Sequence, residues 1–179
     1  DQHPRKQEQR GLEDQEEHTQ HHGDESPLRL YTLFQMTMPG APMLYYGDEI
    51  GMTGGNDPYC RAAFPWDDIT QWNMPLLDFF QRATKLRGAH ASLRTGGFRL
   101  LSADQDVFVF ERRQASQSAI VAFNRGPAPI TVAVQLPHAE ADAGRAYVAA
   151  WNGADITIAQ DQPLSIEIPA RDAVVLVSE

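Results

Sequence analysis

Cysteine is nearly absent: Cys60 is the one thiol in 179 residues. An internal disulfide is therefore excluded, and a reducing compartment fits. There is no run of about 18 apolar residues, so no membrane-spanning helix is expected. Basic side chains are in short supply, with 15 Lys and Arg against 24 Asp and Glu and a formal net charge of −9. A chain this acidic repels phosphate backbones, and it lacks the basic amphipathic face that settles on an anionic bilayer. Neither nucleic acid nor a membrane is an expected partner. No charged-then-apolar stretch of a signal peptide stands at the start, where the chain opens on Asp1, and the expected location is cytoplasmic. Familiar catalytic signatures are missing too: there is no G-x-S-x-G, no P-loop, no G-x-G-x-x-G and no Cys/His pair at metal spacing.

Large aliphatics are missing from residues 1–26, where Leu12 is the single example. A segment of Gln, Glu, Asp, His and Arg buries too little apolar surface to offset its ordering entropy, so 1–26 reads as a polar, disordered tail. His18, His21 and His22 share a helical face if the tail is helical, but no thiolate or fourth ligand accompanies them, and a solvated polar tract is the simpler reading.

What is present begins at Ser26-Pro27, a good helix start with Ser as N-cap and Pro in the first turn. Leu28, Tyr31, Leu33, Phe34, Met36 and Met38 then give an apolar helix stopped by Pro39-Gly40. These positions wrap beyond one stripe, which predicts a largely buried helix. Met43 to Tyr46 is a short apolar run between turn signals, which predicts a central, parallel strand covered on both faces. Helix followed closely by strand is half of an α/β unit. Such a strand needs neighbours, and none of its type precedes residue 96, so the expectation is a piece of something larger.

Residues 47–73 carry no periodicity, and a loop of this length after a buried strand is more often functional than idle. Asn73 can cap the next helix, on which Leu76, Phe80, Ala83 and Leu86 form one buried stripe. After Gly96-Gly97 the apolar period switches from 3.6 to 2. Seven short alternating segments, at Phe98–Leu101, Val107–Arg112, Ala119–Asn124, Ile130–Leu136, Arg145–Trp151, Leu164–Ile168 and Ala173–Val177, predict an antiparallel, Greek-key β-sandwich. The fold class is thus α/β plus all-β, with a tail over 1–26, an α/β part over 27–95 and a sandwich over 96–179.

Asp48 and Glu49 follow the predicted strand directly and invite a reading as an acid–base pair. Adjacent residues of a strand point to opposite faces, so they do not converge on one bond unless the chain turns between them. The favoured reading has one carboxylate bonding backbone amides or an arginine and the other facing a helix. Asp67-Asp68 meets the same objection.

The stretch Pro39-Gly40-Ala41-Pro42-Met43-Leu44-Tyr45-Tyr46-Gly47-Asp48-Glu49-Ile50-Gly51-Met52, continued by Gly54-Gly55-Asn56-Asp57-Pro58, Cys60-Arg61 and Pro65-Trp66-Asp67, resembles the end of the catalytic barrel of the α-amylase family, glycoside hydrolase family 13. The similarity is to its neopullulanase, cyclomaltodextrinase and maltogenic amylase group. It runs on through Leu77-Asp78-Phe79-Phe80, Leu86-Arg87, His90, Leu93-Arg94 and Val121-Ala122-Phe123-Asn124-Arg125, over roughly residues 23–179.

The resemblance implies that 27–38 is the seventh helix, 43–46 the eighth strand and 74–94 the last helix of a (β/α)8 TIM barrel, with the C-terminal β-sandwich after it. It implies a retaining hydrolase of α-1,4 and α-1,6 glucans: maltooligosaccharides, cyclodextrins and pullulan. The family's nucleophile aspartate and acid/base glutamate follow barrel strands that this sequence does not contain. Asp1-Gln2-His3-Pro4-Arg5 is the nearest text to its third aspartate motif and has no Asp after His3. No catalytic residue is therefore assigned, and the isolated chain is expected to be inactive.

Asp57 and Arg61 are the implied substrate contacts and Tyr46 an implied stacking face; the plainer reading of the three is a loop ion pair and a core aromatic. The family's Ca2+ finds no identifiable site here, so no metal or cofactor is expected. The implied partner is an α-glucan oligosaccharide, with self-association or a missing barrel portion meeting the exposed edge of strand 43–46. A non-catalytic glucan-binding or structural module is the alternative, and it would show as a row of exposed aromatics on one sheet face, where Trp151 is the sole tryptophan.

Overall fold

The computed structural model describes residues 24–115, 117–138, 142–159 and 162–178. His18, His21, His22 and the Asp1–Arg5 segment lie outside the described residues. Contacts divide the described residues into two units, one holding 24–25 and 44–77, the other lying within 26–43 and 78–178.

The larger unit opens with helix α1 (Ser26–Thr37). Its buried side chains are Thr32, Leu33, Met36 and Thr37, while Tyr31 and Phe34 stay exposed. The helix is thus covered along one face, not wrapped as its composition predicted. Helix α2 (Met74–Ala89) starts at the predicted cap, where the Asn73 carboxamide oxygen accepts from Leu76 N–H at 3.0 Å. The predicted single helix over 74–94 breaks at His90, whose extended backbone separates α2 from the short α3 (Ala91–Thr95).

Among the described residues eight strands follow, and they match the seven predicted from alternation plus one two-residue addition: β1 (Gly97–Ala103), β2 (Val107–Gln114), β3 (Gln117–Asn124), β4 (Ile130–Val134), β5 (Ala146–Trp151), β6 (Ile156–Thr157), β7 (Leu164–Ile168) and β8 (Asp172–Ser178). All pairings are antiparallel, in a six-stranded sheet of order β1-β2-β3-β8-β5-β6 and a two-stranded sheet of β4 and β7. After β3 the chain crosses to the small sheet, returns as β5, crosses again as β7 and returns as β8 between β3 and β5. Such crossovers between two sheets are what a sandwich requires, in contrast to an up-and-down meander.

Strand parity sorts the core. Val107 and Val109 of β2, Ile120 and Ala122 of β3, and Val174 and Leu176 of β8 face the small sheet, meeting Val134, Leu164, Ile166 and Ile168. The intervening residues face the helices: Phe34 of α1 packs on Phe108 and Phe123, with ring centroids 6.2 and 6.0 Å apart. β3 and β8 are covered on both sides, which explains their unbroken apolar runs. Trp151 is 5% exposed and meets Phe79 of α2 edge-to-face at 5.1 Å, with the Arg82 guanidinium over its ring at 4.5 Å. The sheet tryptophan is therefore a packing residue, and an exposed aromatic row built on it is not found.

Two buried arginines hold the turn that ends α1. Arg87 of α2 donates to the carbonyls of Met36 (2.8 Å), Met38 (3.1 Å), Leu93 (2.8 Å) and Gly40. Arg112 of β2 donates to Thr37 and, twice, to Gly96. A helix end leaves its last carbonyls without partners, and these guanidiniums supply the missing donors.

His90 lies beside this cationic group. Burial, with Arg94 adding to it, holds its imidazole below the usual value of 6.5. The unfolded chain consequently takes up the proton first as pH falls below 6.5. Stability is expected to be highest above that value and to decline below it until the depressed folded value is passed. Urea midpoints between pH 5 and 8 (roughly the range in which histidine titrates) should show this slope, and His90→Gln should flatten it; an unchanged slope would remove His90 as its source.

No strand forms at Met43–Tyr46, which corrects the buried strand predicted there. The four side chains are 76%, 42%, 50% and 45% exposed. A central strand is defined by hydrogen-bonded neighbours on both edges, and among the described residues every strand belongs to the two sheets of 97–178. Without partners the segment forms no regular structure up to the turn at Tyr46, and its apolar side chains stay wet. Among the described residues no helix is long and apolar enough to cross a membrane.

Candidate functional site

The smaller unit is built from short turns. Residues 48–50, 59–61 and 69–71 each form one turn of 3-10 helix, joined by irregular chain. Gly47 sits at φ 93°, a left-handed value that glycine adopts without penalty, and a Cβ there would fall 2.5 Å from Met52 Sδ. This glycine starts the turn that carries Asp48 and Glu49.

The turn separates the two carboxylates by function. Glu49 Oε2 accepts from the Gly47 N–H at 2.9 Å, closing the turn on its own backbone. That is the structural role favoured from sequence for one of the pair. Burial pushes the Asp48 carboxyl up from its ordinary value; a backbone hydrogen bond from Tyr45 opposes this and the neighbouring Glu49 charge adds to it.

The three residues implied as substrate contacts come together. Tyr46 donates its phenol to the Ala62 carbonyl at 3.1 Å, which ties it to the turn at 59–61. Arg61 Nε lies 3.1 Å from Asp57 Oδ1, one turn earlier, with 71% and 66% of the side chains exposed. Tyr45 and Tyr46 place their ring centroids 4.8 Å apart. Partial desolvation, with Tyr45 beside it, raises the Tyr46 phenol. Tyr46 is half exposed, so the core-aromatic reading of it does not describe this structure, whereas the loop ion pair does form. Cys60 is exposed, its Sγ 3.9 Å from Asp57 Oδ1.

An exposed ion pair contributes little to stability, because solvent screens it and both side chains lose freedom. Asp57 and Arg61 are thus cheap to separate: one offers a carboxylate acceptor, the other a fork of N–H donors. Beside a phenol ring, that set suits a neutral polyhydroxyl ligand better than an anion or a metal. Among the described residues no group of three or more His, Cys, Asp and Glu is placed to hold a metal ion.

A second aromatic group stands on the same loop; its Pro65-Trp66-Asp67 motif carries part of the family resemblance but was given no site role from sequence. Phe64 and Trp66 have ring centroids 4.3 Å apart, and Trp72 meets Phe64 edge-on at 5.4 Å. Trp72 is anchored by its indole N–H, which donates to the Pro65 carbonyl at 3.0 Å.

Comparison with known proteins shows what the chain is similar to. Residues 100–179 match the family model described as alpha amylase, C-terminal all-beta domain. A cyclomaltodextrinase from a Bacillus species is 40% identical over 116 residues, 64% of this chain and 21% of the relative. Neopullulanase 2 of Thermoactinomyces vulgaris is 36% identical over 142 residues, 78% of this chain and 24% of the relative. Among solved structures, the native debranching enzyme of Nostoc punctiforme superposes with a TM-score of 0.71 at 32% identity, covering 86% of this chain and 31% of that one. The chain thus spans about a fifth of the first of these relatives. On the combined match of sequence, domain model and fold, the chain belongs to the α-amylase family, glycoside hydrolase family 13, and corresponds to its C-terminal portion.

Proposed function

We propose that the chain supplies one wall of the glucan-binding cleft, together with the C-terminal domain, of a retaining α-glucan hydrolase. In this reading 27–95 completes a (β/α)8 barrel, 96–179 is its C-terminal sandwich, and the substrates carry α-1,4 and α-1,6 glucosidic bonds. The clustering of Tyr46, Asp57 and Arg61 on one exposed loop surface, ahead of an α-amylase C-terminal domain, is the observation that carries it. Tyr46 offers a face to a sugar ring, Asp57 accepts from hydroxyls, and Arg61 donates to ring and hydroxyl oxygens. Double displacement needs a carboxylate nucleophile and a carboxylic acid about 5 Å apart. Glu49 is spent on its own backbone, and no residue of this chain is assigned to either role. The exposed Met43–Tyr46 segment is the edge that meets the rest of such a barrel. A cytoplasmic location and the absence of a required cofactor go with this reading.

Two measurements test it together. The purified chain should show no release of reducing sugar from maltoheptaose, β-cyclodextrin or pullulan. A cyclomaltodextrinase whose corresponding C-terminal portion is replaced by residues 24–179 should hydrolyse β-cyclodextrin, with Asp57→Ala and Arg61→Ala each raising KM about tenfold, the loss of one hydrogen bond to a charged group. Turnover by the chain alone, or a folded but inactive chimera, overturns the proposal.

A further inference from the structure

The exposed face of Trp66 has no role in the contacts discussed so far, and its setting is unlike that of an ordinary surface tryptophan. Trp66 is 72% exposed, although tryptophan is a residue that folding normally covers. Its ring is nonetheless held from beneath. Phe64 lies against it at 4.3 Å, and Trp72 closes the group edge-on, 6.4 Å from Trp66. The segment that follows is fixed by Asp68, whose carboxylate accepts from Thr70 N–H at 3.1 Å, from the Thr70 hydroxyl and from Gln71 Nε2 at 2.9 Å. An indole so supported is a rigid platform that loses little freedom when something settles on it.

The neighbours decide what can settle there. Asp67 and Asp68, next along the chain, are both exposed carboxylates. The dry centre of a protein–protein contact is depleted of such charges, because covering them without donors is costly. A pyranose instead presents an apolar C–H face to the ring and equatorial hydroxyls at its edge, which can donate to a carboxylate. An anionic ligand is disfavoured by the same two charges.

We infer that Trp66, backed by Phe64 and Trp72 and flanked by Asp67, is a stacking platform for a glucose unit of an α-glucan, separate from the Tyr46–Asp57–Arg61 contacts. The inference rests on the glucan reading above for its substrate class. It adds a binding residue that acts through stacking, where Asp57 and Arg61 act through hydrogen bonds.

The chain has three tryptophans, and Trp66 is the exposed one, whereas Trp151 is buried. Titrating the full chain with maltoheptaose should therefore give a saturable blue shift of tryptophan emission. Trp66→Ala should weaken binding at least about tenfold, read by calorimetry, and Trp66→Phe should keep it within about threefold. Absence of any saturable signal, unchanged affinity in Trp66→Ala, or a concentration-dependent dimer abolished by Trp66→Ala would each overturn the inference. The chimera keeps the two proposals apart. A hydrolysing chimera beside a chain that does not bind maltoheptaose removes the platform alone. Binding through Trp66 beside an inactive, folded chimera removes the hydrolase reading alone.

Discussion

Replacing Arg113 by methionine is expected to destabilise the sandwich by about 3–5 kcal/mol, the range found when one member of a buried ion pair is removed. Arg113 sits between two carboxylates that are almost wholly covered, Glu111 at 3% and Asp142 at 2% of side-chain exposure. Its Nε donates to Glu111 at 2.8 Å, and its two terminal nitrogens reach both oxygens of Asp142. The Ser118 hydroxyl adds a bond to Glu111 at 2.9 Å, and Arg145 Nε stands 3.5 Å from Asp142. Burial by itself would lower the basicity of Arg113, but the bonds to Asp142 and Glu111 more than reverse that and hold it above the ordinary arginine value.

Methionine would fill much of the volume and leave two buried negative charges facing each other. The loss should show as a lower urea midpoint at pH 7, and it should shrink in acid, where protonation discharges the pair. Adding Glu111→Gln to Arg113→Met should recover part of the stability at pH 7. A double variant no more stable than the single one would show that charge is not the cause.

Arg112→Met, one residue away, is expected to cost less, about 2 kcal/mol, and for a different reason. Arg112 is 1% exposed and bonds only backbone carbonyls, those of Gly96 and Thr37. Its guanidinium is held below its ordinary value by burial first and by Arg87 second. Removing it strands two carbonyl oxygens at about 1–3 kcal/mol each, but it also relieves a buried charge and its repulsion from Arg87, so the two effects partly cancel.

Because no carboxylate is stranded, the deficit should be the same at pH 5 and pH 7. That contrast with Arg113→Met is the sharper test. Hydrogen exchange should localise the damage to Met36, Thr37 and Met38 at the end of α1. Exchange that rises uniformly through the sheet would sink the capping account.

These two arginines show where a linear reading stops. Glu111-Arg112-Arg113 closes an alternating apolar segment and reads as the polar end of a strand. In the fold, parity sends Arg112 to the helix side, where it caps α1, and Glu111 and Arg113 to the sandwich side, where they meet Asp142. Asp142 lies in the turn at 142–144, and no pattern within β2 points to it. Ion-pair partners 29 residues apart are brought together by the tertiary fold, which a local period does not encode.

The candidate site divides in the same way. Tyr46, Asp57 and Arg61 were legible because a run of short motifs carries them in order, from Pro39-Gly40 to Pro65-Trp66-Asp67. Their approach to one another is a matter of turns: Gly47 reverses the chain and the phenol of Tyr46 reaches the carbonyl of Ala62. Trp66 belongs to the same motif run, yet nothing in Phe64-Pro65-Trp66-Asp67 as a linear stretch marks its ring as a binding surface. Only the packing of Phe64 against it, with the rings tilted by 37°, distinguishes a platform from a stray aromatic.

Local chemistry was enough for the sheets and for the cap of α2. A strand with one face buried must alternate, and a helix start must find an acceptor for its free N–H groups, so both leave marks at fixed spacing. It was not enough for Met43–Tyr46, whose apolar run matches a buried strand and yet lies exposed. Helices close their own hydrogen bonds, whereas a strand borrows its partners from elsewhere. Whether an apolar run becomes a strand therefore depends on which neighbours the fold brings alongside it.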